Sequence, residues 1–153
     1  MSLRRLDAKA RAIVNLANDI AHEWDLEFVG TEHVLLAILR HNGSLGAQVL
    51  TKLGITEEKA RARVDELVQR GKEDTWVFGR LPGSPFFQNV IERALTVADQ
   101  LKAQSVSGEH LLLALFQDKE SIASRTLTSL GVTLKKCRDA VLRETSATGA
   151  QER

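Results

Sequence analysis

The sequence predicts an all-α fold made of two copies of one four-helix unit, and three observations carry that prediction. First, the chain repeats itself at an offset of 77 positions, so that Gly30, Thr31, Glu32 and His33 align with Ser107, Gly108, Glu109 and His110. Comparing residues 11–64 with 88–141 gives 17 identities in 54 ungapped pairs, roughly two to four times what shared helical composition would produce. Second, apolar residues recur at helical spacing in both copies. Third, Leu, Ala, Glu, Lys and Arg dominate, while Pro occurs only at Pro82 and Pro85 and Tyr is absent, a composition that favours helix. Two copies are too few for an open solenoid, so a compact pseudo-twofold pair is expected.

In the first copy (about residues 5–70), Ile13, Leu16, Ala17, Ile20, Ala21 and Trp24 fall on one helical face, and this helix is expected to end near Asp25. Thr31 after Gly30 reads as an N-cap, and residues 34–39 form a short helix apolar on all sides, which belongs at the centre of a core. Ser44 can cap a third helix running through Leu53, and Gly54 can stop it in the left-handed conformation. Thr56 can cap a fourth, with Glu57 and Glu58 on the positive end of its dipole; it runs to about Arg70 and ends at Gly71. The second copy repeats the plan with helices expected at 85–103, 108–117, 121–130 and 134–145, followed by a small, polar tail over 146–153 that is expected to fray. Between the copies, residues 71–84 form a connector rich in Gly, Pro and charge. It also carries Trp76 and Phe78, with Phe86 and Phe87 just beyond. These aromatics either pack onto the domain they cross or form a contact surface for a peptide or a second chain.

A chain of 153 residues that is 43% hydrophobic and 27% charged can bury a core without disulfides or metal, and 1–153 reads as one domain. The net charge of +1 argues against phosphate-backbone binding as a main task, and Arg4, Arg5, Lys9 and Arg11 read as a solvated helix start. The single cysteine, Cys137, cannot form an internal disulfide and reads as a small packing residue. No apolar run reaches the length of a membrane span and no secretory h-region follows the charged N-terminus, so a cytoplasmic location is expected. His22, His33, His41 and His110 lack metal-site spacing, so neither a metal nor another cofactor is expected. Gly71-Lys72 is followed by Glu73 without the upstream glycine of a P-loop, so the chain carries no nucleotide-hydrolysis motif.

The doubled run G-T-E-H-V-L-L-A-I-L (30–39) and S-G-E-H-L-L-L-A-L-F (107–116), each followed by L-G-I or L-G-V and a charged helix, resembles the Clp-N repeat domain over about residues 5–145. That domain stands at the N-terminus of the ClpA, ClpC and ClpB unfoldases and also occurs alone in accessory proteins; ClpC-type domains are the most similar. The resemblance implies eight helices in two pseudo-symmetric halves and a non-catalytic role: recruiting substrates or adaptor proteins to an ATP-driven Clp ring. The low net charge and the lack of an apolar span leave no nucleic acid or membrane expected as partner, and a monomer is expected in isolation. In some ClpC-type domains each half binds phosphoarginine, with the motif's acidic residue on the guanidinium; here those residues are Glu32 and Glu109, flanked by Thr31 and Gly108. A first-turn Glu can pair bidentately with a guanidinium, and helix-start N–H groups can accept a phosphate. The pattern departs in places. Asp7 stands where a ClpC-type Thr lies near the phosphate, which counts by copy against the first site. Phe86 and Phe87 replace Arg-Ala, Gly108 replaces the motif Thr, and Lys119-Glu120-Ser121 replaces the glycine-rich turn kept in Asn42-Gly43-Ser44.

The residues alone leave alternatives open. Glu32 and Glu109 could serve only the helix dipole, or act as an acid/base pair, although no third group accompanies them. His33 and His110 read as hydrogen-bonded packing residues. A structural accessory subunit that docks on the ring through Trp76, Phe78, Phe86 and Phe87 without recognising substrate is the rival to a recruiter, and a small hydrolase is the third class.

Overall fold

The computed structural model describes residues 6–23, 29–41, 43–70 and 85–152, which contain eight helices. These are α1 (Ala8–Glu23), α2 (Thr31–Arg40), α3 (Leu45–Lys52), α4 (Glu57–Arg70), α5 (Pro85–Gln100), α6 (Gly108–Leu115), α7 (Ile122–Ser129) and α8 (Leu134–Glu152). Trp76 and Phe78 lie outside the described residues; Phe86 and Phe87 fall in the first turn of α5.

The repeat is kept down to single hydrogen bonds. α5 begins and ends 77 residues after α1, and α7 does so after α3. Ser44 Oγ accepts from Ala47 N–H and Ser121 Oγ from Ser124 N–H, each at 3.2 Å. Gly54 and Gly131 both sit at φ +86°, a conformation that costs a residue with a Cβ about 1 kcal/mol or more. Lys59 and Lys136 each donate from Nζ to the carbonyl of that glycine, at 3.2 and 3.0 Å.

Two predicted boundaries move. Thr31 is the first helical residue of α2 and Gly30 its N-cap, because the Thr31 hydroxyl is engaged elsewhere: it accepts from Ala123 N–H at 3.2 Å. The tail expected to fray continues α8 to Glu152; no proline interrupts it, and Ala147, Ala150 and Gln151 are good helix formers.

The core is organised by α2 and α6. Every residue from Thr31 to Leu39 is buried, and Leu111, Leu112, Leu113, Ala114 and Leu115 are buried in α6. Each fully buried Leu or Ile contributes about 1.5–3 kcal/mol relative to exposure. The third helix of each repeat crosses to the other: α3 packs on α6 and α8 as well as on α2, and α7 packs on α2 and α4. These contacts are reciprocal, as a twofold relation requires. Each four-helix cluster in space therefore contains three helices of one repeat and one of the other. Lys52 of α3 pairs with Glu144 of α8 across the exchange. The chain start joins it too: Leu6 bridges Val106 in parallel, Asp7 N–H donates to Val106 O at 2.8 Å, and Asp7 Oδ1 caps α1 by accepting from Ala10 N–H at 2.8 Å.

The tightest point of the exchange is where α3 meets α6. A methyl on Gly46 would lie 3.0 Å from Gly108 O and 3.1 Å from Ile38 Cγ2. Gly46→Ala should lower stability by about 1–3 kcal/mol, whereas Gly43→Ala, whose methyl would meet nothing nearer than 4.0 Å, should be close to neutral; chemical denaturation of both variants measures the difference.

Candidate functional site

The two acidic motifs head the two central helices, and the helix exchange gives each a neighbour from the other repeat. At the first junction the start of α2 (Thr31, Glu32, His33) meets the start of α7, joined by the Thr31–Ala123 bond. At the second, the start of α6 (Gly108, Glu109, His110) meets the start of α3. A methyl on Gly108 would lie 2.9 Å from Ile13 Cδ1 and 3.0 Å from Ser44 Cβ. Each junction thus brings together two helix N-termini, whose dipoles favour negative charge.

This geometry corrects the copy-by-copy reading of the sequence. Asp7 lies beside Val106, immediately ahead of the second motif. Ser44, from the glycine-rich turn of the first copy, also stands at the second junction, and Ser121 stands with α7 at the first. The Asp7 backbone is thus tied to the segment leading into the second motif, while its carboxylate caps α1. An offset alignment cannot show this, because helix exchange leaves the sequence repeat unchanged. The one trace of it in the sequence is that the small pair Gly46 and Gly108 sits in different copies.

The histidines act as sequence reasoning expected. His33 is 0% exposed and its Nδ1 accepts from Gly30 N–H at 2.8 Å; His110 Nδ1 accepts from Ser107 N–H at 2.8 Å. Each satisfies the N–H of the residue that caps its helix, which places the remaining ring proton on Nε2. Burial pushes the His33 pKa down from 6.5 to about 4. Cys137 is fully buried and its thiol is pushed up to about 12 by desolvation, which suits packing and not reactivity.

The two glutamates differ. Glu32 is 4% exposed and its carboxyl is folded over Gly30; a methyl on Gly30 would overlap Oε1 and lie 2.8 Å from Cδ. Burial pushes its pKa up from 4.5 to about 7, with its own backbone N–H pulling the other way. Glu109 is partly exposed, with Oε1 enclosed and without a hydrogen-bond partner among the described residues. Thr31 and Gly108 are both buried. Among the described residues no three His, Cys, Asp or Glu side chains cluster as metal ligands, and no helix is long and apolar enough to cross a membrane.

The buried pair Glu32 and His33 gives a pH signature. A carboxyl raised in the folded state contributes stability below about 4.5 that is lost as pH rises through about 7. A histidine lowered in the folded state contributes stability above about 6.5 that is lost as pH falls through about 4. Each displacement corresponds to roughly 3 kcal/mol, with opposite slopes that cancel between pH 4.5 and 6.5. Glu32→Gln should uncover the histidine slope, so that the variant gains stability from pH 4.5 to 6.5 while the parent stays nearly flat; denaturation midpoints across that range measure it.

The sequence matches the family described as the Clp repeat (R) N-terminal domain over residues 5–130 and again over 84–152. A ClpA homolog, an ATP-dependent Clp protease ATP-binding subunit from Cyanidium caldarium, is 36% identical over 139 residues, covering 91% of this chain and 16% of that protein. The negative regulator of genetic competence ClpC/MecB of Bacillus subtilis is 34% identical over 142 residues, covering 93% of this chain and 17% of that protein. The chain therefore spans about one sixth of the length of these relatives. In fold it is similar to the N-terminal domain of the chaperone ClpD from Arabidopsis thaliana, with a TM-score of 0.71, 23% identity, and coverage of 94% of this chain and 99% of that one. The Hsp104 N-terminal domain of Candida albicans gives a TM-score of 0.69 at 17% identity, covering 91% of this chain and 90% of that one. The chain is a member of the Clp N-terminal repeat domain family, and its all-α fold, eight helices among the described residues, is that of Clp ATPase N-domains.

Proposed function

We propose that this chain is a non-catalytic protein-binding module that recruits substrate or adaptor proteins to a Clp-type unfoldase. The observation that carries the reading is the doubled acidic helix start, Glu32 and Glu109, each at a junction of two helix N-termini in a chain that matches Clp ATPase N-domains. The matched ClpA homolog is an ATP-binding subunit about six times longer, and residues 1–153 hold no P-loop, so on this reading ATP-driven unfolding belongs to residues or subunits other than these. The junctions offer a carboxylate for a guanidinium, and an arginine-bearing segment of a partner is the ligand this chemistry favours. Individually weak contacts of this kind gain strength when several copies act on one ring.

Calorimetric titration with arginine amide, phosphoarginine and phosphoserine at millimolar concentration tests the site. Saturable binding of the two guanidinium ligands, absent for phosphoserine and abolished in the Glu32→Gln/Glu109→Gln double variant, is the expected result. No heat from either guanidinium ligand would remove the glutamates from the binding surface. Co-purification of the chain with a peptidase ring in the absence of any ATPase would favour a structural accessory subunit instead.

A further inference from the structure

The two motifs share their backbone path but not their side-chain pose. The capping residues have nearly the same dihedral angles, φ −110°, ψ 174° at Gly30 and φ −122°, ψ −172° at Ser107. Both motifs make the same histidine-to-cap hydrogen bond, at 2.8 Å in each case. A methyl built on Gly30 overlaps the Glu32 carboxyl. On the matching backbone, Ser107 has a Cβ in that position. Glu109 is therefore excluded from the pose that Glu32 adopts, and it is the more exposed of the two.

We infer that residues 30 and 107 set the availability of the two sites: Gly30 lets Glu32 fold shut over the backbone, while Ser107 holds Glu109 out, so that the second junction is the receptive one and the first is closed at rest. The inference rests on the reading that these glutamates contact the ligand, but its structural half does not depend on any ligand. Burial of the Glu32 carboxyl fits the closed pose, since a folded-back carboxyl without solvent favours its neutral form. The opening of the first site then requires the side chain to leave its pocket, a step the second site does not need, and its apparent affinity falls by the fraction of molecules already open.

Carboxyl labelling of the full chain with a water-soluble carbodiimide and glycine ethyl ester, read by peptide mass spectrometry, tests the availability directly. Glu109 should label at least about tenfold faster than Glu32, as expected for a group protected by a local opening step. Gly30→Ser should bring Glu32 up towards the Glu109 rate, and Ser107→Gly should slow Glu109, so the inference survives if one variant fails to fold. Equal rates in the parent chain, or variants that leave both rates unmoved, would overturn it. In calorimetry with arginine amide, Gly30→Ser should raise the stoichiometry from one to two. If no form binds arginine amide, the ligand reading fails while the labelling result still decides the availability of the two carboxyls.

Discussion

The exchange of third helices between the two repeats is the constraint on which the rest of this structure depends. An eight-residue helix has little stability of its own in water, so α3 and α7 exist because they lie on α2, α6 and the fourth helices of both copies. The exchange needs small residues where helix starts meet. At one junction it uses glycine against glycine, Gly46 and Gly108, with no room for a methyl. At the other it uses a hydroxyl, Thr31, which satisfies the Ala123 N–H. The same symmetry operation is thus met by two different local chemistries, one steric and one polar. Neither repeat keeps its third helix to itself, which predicts that the two copies unfold as one cooperative unit.

The proposed function rests on the same constraint. Helix starts carry a partial positive charge. The exchange places two such starts together twice, each with a first-turn glutamate. In an aqueous surface loop a lone Glu would be an ordinary solvated charge. Here Glu32 is buried enough to hold its proton to about pH 7, and Glu109 has one oxygen enclosed without a hydrogen-bond partner among the described residues. The two copies thus present the same backbone frame, with Gly30 in one and Ser107 in the other, and different glutamate poses.

Much of the fold was legible in the sequence because local signals and the repeat agreed. Ser44, Ser121, Thr56 and Thr133 cap helices where hydroxyl residues precede apolar or charged runs, and Gly54 and Gly131 stop helices in the left-handed region. The apolar runs of α2 and α6 announced the centre of the core. The candidate site was legible only as a list of residues. Glu32, Glu109, Thr31 and Gly108 were picked out by their doubled motif, but their surroundings were assigned by copy, which put Asp7 and the Gly43-Ser44 turn at the first site. In the fold the Asp7 backbone bonds Val106 and Ser44 meets Gly108, both next to the second motif. The Thr31 cap was missed for the same reason: its hydroxyl serves a helix 92 residues away, and no local rule sees such a partner. The extension of α8 to Glu152 was missed because a small, polar composition with Gly149 was weighed above the absence of a proline.

The claim that neither repeat is complete alone is tested most directly by producing residues 1–77 and 78–153 as separate chains and recording circular dichroism with thermal melts, singly and mixed. The exchange predicts that each half alone is poorly helical and melts without a cooperative transition, and that an equimolar mixture recovers helix and a single transition. Cooperative melting of either half by itself, unchanged on mixing, would contradict it.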